Sequence, residues 1–240
     1  MKDVMGKRPF LLSGLLGIAV ILVSLLSLIV FPRTSPGQIE GIRSPIIAFE
    51  FAQTVEEINT LFGSAGSPER ADMVRQMNQG NSLDYVYMLL YSGFLFSFSW
   101  TAAKQSGQKW LYLGTVLAVL ALLGDALENV QLLTITANIH SGDFVEALKR
   151  LHWLTWLKWG SLAVYFLLMA GWFWGNGRYA KFIAITGILT FLLGLASFMQ
   201  RGATTEPFTL AVALMFLLMI IFCFTTKTEI SVLPESLDVV

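Results

Sequence analysis

The chain of 240 residues predicts an all-α fold, an integral membrane bundle of six transmembrane helices. Three observations carry that expectation. Hydrophobic residues make up 55% and charged residues only 13%, whereas soluble domains carry about a quarter charged. The mean hydropathy is +0.65. Six stretches, 9–31, 84–103, 110–133, 152–174, 180–200 and 207–225, approach or exceed the roughly 20 apolar residues that cross a hydrocarbon core. Acidic and basic residues balance at 16 each, so no net field recruits nucleic acid.

The first span follows Lys2, Lys7 and Arg8 like a signal peptide. Its apolar run is too long, however, and "VFPRTSPG" follows it instead of a small-residue cleavage site, so it reads as an uncleaved signal anchor. Residues 32–83 form the one long loop, and its sequence predicts a short amphipathic helical hairpin. "SPIIAFEFAQTVEEINTLFG" has Ser44 as N-cap, Pro45 at the first helical position and Gly63 as a stop. Ile47, Phe51, Val55, Ile58 and Phe62 make an apolar stripe, with Glu50, Glu56 and Glu57 on the other side. "SPERADMVRQMNQG" repeats the pattern from Ser67 and Pro68 to Gly80, with Met73 and Met77 on its apolar side. The hairpin is read as a cap packed on the bundle, with an interfacial gate as the functional alternative.

Ahead of the fourth span, "SGDFVEALKRLHW" suggests a capping box of Asp143 with Glu146, and an i,i+4 pair of Glu146 with Arg150. In the fifth span Gly187, Thr190, Gly194 and Ser197 form a small-residue stripe for close helix approach. The sixth, "FTLAVALMFLLMIIFCF", shows no polar pattern and is expected to face lipid on most sides. The whole chain, 1–240, reads as a single membrane domain ending in a cytoplasmic tail, 226–240. Cys223 is the single cysteine and allows no intrachain disulfide, and His140 and His152 are too few for a multi-histidine zinc site. No metal and no cofactor are expected.

Loop charges orient the bundle. With the N-terminus inside, inner segments carry Lys2, Lys7, Arg8, Lys104, Lys109, Arg178, Lys181 and Lys227. Outer segments carry Arg33, Arg43, Arg70, Arg75, Lys149, Arg150 and Arg201 over about twice the length. The expected location is a bacterial cytoplasmic membrane with both termini cytoplasmic. Trp100, Trp110, Trp172 and Trp174 mark one set of span ends and Trp153 and Trp156 the other, while Trp159 lies deeper and is expected only to pack.

Against this background "LLGDALENVQLL" stands out. Asp125, Glu128 and Asn129 are spaced i, i+3 and i+4, so they share one face of the third span. A lone charge at mid-membrane costs about 2.5–3.5 kcal/mol, so a partner is expected. Lys158, at a similar depth in the consecutive fourth span, supplies it. "DYVYMLLY" places Asp84, Tyr87 and Tyr91 on one face of the second span, and His152 lies at the outer mouth of the fourth. The expectation is a polar cluster in the outer half of the bundle, beneath the loop helices. Two carboxyl groups so close repel one another, and one can retain its proton at neutral pH.

The segments "AFEFAQT", "LDYVYMLLY" and "GDALENVQLL" resemble a set of bacterial polytopic membrane proteins of no known activity. Those share F-E-x-A-x-T in the outer loop, an aromatic stretch after L-D, and D-x-x-E-N in the third span. The resemblance covers most of residues 47–133 and implies that Glu50 belongs with Asp84, Asp125, Glu128 and Asn129. It implies no catalytic role.

Three functions fit these features. A binding or scaffold protein would hold a lipid headgroup or a partner helix in a buried polar pocket, and it asks least of the residues. Its partners would be membrane lipid, another membrane protein or a second copy of the chain. A membrane-embedded enzyme would use Asp125 or Glu128 in acid/base chemistry on an outer-leaflet substrate. A proton-coupled transporter is the third class, without the internal repeats that would favour it.

Overall fold

A computed structural model describes residues 8–226. Among these, the chain forms α1 (Leu11–Val30), α2 (Pro45–Glu50), α3 (Val55–Phe62), α4 (Pro68–Ser106), α5 (Leu113–Ala137), α6 (Val145–Phe173), α7 (Gly177–Met199) and α8 (Thr205–Thr225). A 3-10 turn at Lys109–Tyr112 leads into α5. Six helices, α1 and α4 to α8, are long and apolar enough to cross a membrane, which makes this an all-α, multi-pass membrane bundle. Lys2, Lys7, Lys227 and the tail from 227 onward lie outside the described residues.

The six long helices pack in chain order as a closed ring: α1 on α4, α4 on α5, then α6, α7 and α8, with α8 returning to α1. From α4 onward, short connections between consecutive helices enforce this antiparallel order. Two apolar cores result. One fills the ring around Phe94, Phe98, Tyr165, Phe166 and Met219. The other lies at the loop end, where Phe49, Ile58 and Phe62 pack on Met77 of α4, Ile135 of α5 and Leu151 of α6.

The loop hairpin differs from expectation in two ways. The first predicted helix is broken after Glu50, because Thr54 and Glu57 form a capping box that starts α3 anew. The carbonyl of Phe51, left without a helical partner, accepts from Arg201 Nη1 at 2.5 Å. The second predicted helix does not stop at Gly80 but continues as the 39-residue α4 to Gly107, which closes it in the left-handed conformation at φ 70°. Gly80 serves packing instead: a Cβ there would collide with the Phe31 ring.

Other details are also revised. Asp143 does not cap α6, which has no side-chain cap, and Glu146 pairs with Lys149 at 2.8 Å, not with Arg150. α8 is not mainly lipid-facing: Phe208, Val212, Met215, Met219, Phe222 and Cys223 are buried where it closes the ring. Such a uniformly apolar helix carries no periodicity from which its inner face could be read. α1 is the exposed helix, with only Ser13, Gly14, Gly17 and Val20 buried. The α7 stripe does face its neighbours, since a Cβ at Gly187 would meet the Phe166 carbonyl oxygen at 2.8 Å.

α5 and α6 approach most closely at Gly124, where a Cβ would lie 2.6 Å from the backbone nitrogen of Lys158. Gly124→Ala is expected to destabilise the protein by about 1–3 kcal/mol, since one backbone must yield to the added methyl. Gly160→Ala, with nothing within 4 Å of the new Cβ, should be neutral or stabilising by up to about 1 kcal/mol. Thermal unfolding in mild detergent, followed by circular dichroism, measures both.

Candidate functional site

The contact at Gly124 brings the acids of α5 against α6. Asp125, Glu128 and Asn129 all face inward, at 1%, 0% and 2% exposure. Lys158, itself 5% exposed, donates to Asp125 Oδ1 at 3.1 Å and to Glu128 Oε2. Its third acceptor is Glu50 Oε1, also at 3.1 Å, delivered by the last residue of α2. Three donors of one ammonium thus meet three carboxyl groups from two other helices.

Glu50 is held from a single stripe of α6. Thr155 Oγ1 donates to its backbone carbonyl, Lys158 to Oε1, and Trp159 Nε1 to Oε2 at 2.9 Å. These residues stand i, i+3 and i+4, a spacing visible in the sequence but interrupted there by apolar neighbours. Trp159 is therefore a hydrogen-bond donor and not only packing. Burial pushes the Glu50 carboxyl above its ordinary range; Lys158 opposes this and Asp125 reinforces it.

α4 closes the other side. Tyr91 Oη donates to Asp125 Oδ2 at 2.8 Å, and Asn129 Nδ2 donates to Asp84 Oδ2 at 2.7 Å. The Tyr87 ring lies 5.4 Å from that of Tyr91. His152 does not join the cluster. Six residues before Lys158 turns it about 240° around α6, where it meets Gln53 at 3.4 Å and the Trp153 ring.

The loop that carries Glu50 is pinned at both ends, by the first turn of α8 and by the α7–α8 connection. Glu206 Oε1 accepts from the backbone N–H groups of Arg43 and Ser44 at 2.5 and 2.6 Å, fastening the chain just before α2. Arg201 pairs with Glu57 just beyond its end. Burial opposes the charge on Glu57, but Arg201 and the N–H groups of Gln53 and Thr54 outweigh it and hold that carboxyl below its ordinary range.

Against this floor opens a cavity of about 240 Å³. Glu50, Asp84, Tyr87, Tyr91, Asp125 and Lys158 provide its polar side. Its apolar side comes from Leu28 and Phe31 near the end of α1, Ile46 and Ile47 of α2, and Val212 and Phe216 of α8. Ser24 and Ser27 of α1 also line it, and no loop motif points to them. Asp84 is the most accessible of the four acids. Glu128 Oε1 is buried without a hydrogen-bond partner.

Three carboxyl groups contact the one ammonium and Asp84 stands beside them, so full ionisation of all four would leave a net charge of −3 in a largely buried volume. Such a surplus of negative charge is unfavourable in a low-dielectric interior. Lys158 occupies the point on which the carboxyl groups of Glu50, Asp125 and Glu128 converge.

Lys158→Met removes the ammonium of the cluster and is expected to destabilise the protein by about 3–5 kcal/mol. Adding Glu128→Gln and Asp125→Asn should recover a large part of that loss, because the carboxylates are what the missing ammonium leaves uncompensated. Thermal midpoints of the single and triple variants in the same detergent test this; a triple variant no better than the single one would contradict it. Compared with protein-family models, curated proteins and solved structures, the chain matches none.

Proposed function

We propose that this is a membrane-embedded binding protein whose cavity receives the polar head of an amphiphile. The carrying observation is the cavity itself, apolar along α1, α2 and α8 and acidic at its floor. Pockets that bind small molecules combine apolar walls with a few convergent polar groups in this way. The excess of acids over Lys158 selects the head: an amine or a hydrogen-bond-donating group is favoured, and a phosphate or carboxylate is repelled.

A long-chain primary amine and a fatty acid of equal length discriminate. Native mass spectrometry of the full chain in mild detergent should show a one-to-one amine adduct and no fatty-acid adduct. Asp84→Asn should weaken the amine adduct by about tenfold, as expected for a lost charge-assisted hydrogen bond. Equal binding of both amphiphiles, or of neither, would sink the proposal. Proton-coupled transport is a second reading, favoured by the surplus of carboxyl groups; amine movement across proteoliposomes driven by a pH gradient would support it.

The loop end of the bundle is assigned to the extracytoplasmic face of a bacterial inner membrane, with both termini cytoplasmic. The higher density of lysine and arginine in the short turns supports this, as does the resemblance of the F-E-x-A-x-T and D-x-x-E-N segments to bacterial membrane proteins. A cysteine placed at Gln53, which is exposed, should react with an impermeant thiol reagent added to intact cells. Reaction only after lysis would invert the orientation.

A further inference from the structure

A second site lies away from the acidic cavity, at the start of α4. Among the described residues, Arg70 is the buried arginine, at 3% exposure. A guanidinium stays charged at any physiological pH, and burying that charge without an anion is unfavourable. Arg75 has Asp72 and Arg201 has Glu57, but no carboxylate of the described residues lies within ion-pairing distance of Arg70. Its Nη2 donates to the neutral amide oxygen of Asn59 at 2.6 Å, and its buried Nε has no partner.

Arg70 lines a groove of about 730 Å³ between α3 and α4. Thr60, Ser64 and Ser67 supply hydroxyl groups there, and Asn59 an amide. The groove also receives the N-terminus of α4, where Ser67 accepts from the Arg70 backbone N–H at 3.2 Å. Glu69 stands in the same groove and opposes an anion.

We propose that this groove binds a phosphate-class oxyanion through Arg70 and the neighbouring hydroxyls. A guanidinium without an anionic partner, beside hydroxyl donors, has the chemistry of an oxyanion site. Fourteen residues of helix separate Arg70 from Asp84, about 21 Å, which places the groove beyond the cavity and favours a water-soluble ligand over a lipid headgroup.

The probes are inorganic phosphate and nanodiscs containing phosphatidic acid or phosphatidylcholine alone, with the full chain. Phosphate should bind the wild type, read by calorimetry. Arg70→Gln should weaken it by about tenfold or more, and Glu69→Gln should tighten it about threefold at low salt. Stabilisation by phosphatidic acid over phosphatidylcholine that Arg70→Gln abolishes, with no binding of free phosphate, would keep the oxyanion site and assign it to a headgroup. If Arg70→Gln does not fold, Glu69→Gln decides: unchanged affinity overturns the proposal. So does the absence of any Arg70-dependent response to either probe, which would leave Arg70 as an anchor for Asn59.

Discussion

One ammonium group organises the loop half of this molecule. Lys158 rises from α6 into a space where Asp125 and Glu128 descend from α5 and Glu50 closes from α2. Each of these groups is unfavourable alone in an apolar interior, and together they are tolerable only if the geometry is kept. The remainder of the architecture keeps it. Gly124 lets the two backbones approach, Tyr91 and Asn129 tie the acids to α4, and Thr155 and Trp159 fix Glu50.

That requirement explains why the loop is folded rather than extended. Glu50 reaches Lys158 only if α2 ends where it does, and α2 ends there because Thr54 and Glu57 cap a new helix four residues on. The α7–α8 connection and the first turn of α8 then hold both sides of the break, through Arg201 at Phe51 and Glu57 and Glu206 just before α2. A connection far away in the chain thereby positions a residue of the central cluster.

The cavity follows from how the ring closes. Near the N-terminus of α1 the helix lies tightly on α8, where a Cβ at Gly17 would collide with the Ile220 side chain. Toward the loop end no such glycine contact joins them, and Leu28, Val212 and Phe216 line the cavity between them. Its apolar walls and acidic floor are thus a consequence of helix packing at one end and charge pairing at the other.

Much was legible from residues alone. Spans were visible because about 20 apolar residues in a row are demanded by membrane thickness. Asp125, Glu128, Asn129 and Lys158 were visible because charge inside such spans needs a partner, and helical spacing says which groups share a face. Glu50 was joined to them only through a resemblance, since its place opposite an apolar stripe marked it as solvent-facing. The sequence marks Trp159 only as packing and does not single out Thr155, because an indole or hydroxyl in a span suits packing as well as hydrogen bonding. The sequence by itself determined the helices and the pairing of α5 with α6, as both follow from local periodicity and the penalty on buried charge. The break in the loop hairpin follows from the local Thr54–Glu57 capping box. Only the tertiary structure decided the continuation through Gly80, the inward face of α8 and the delivery of Glu50, which depend on contacts with Phe31, α1 and Lys158, partners distant in the chain.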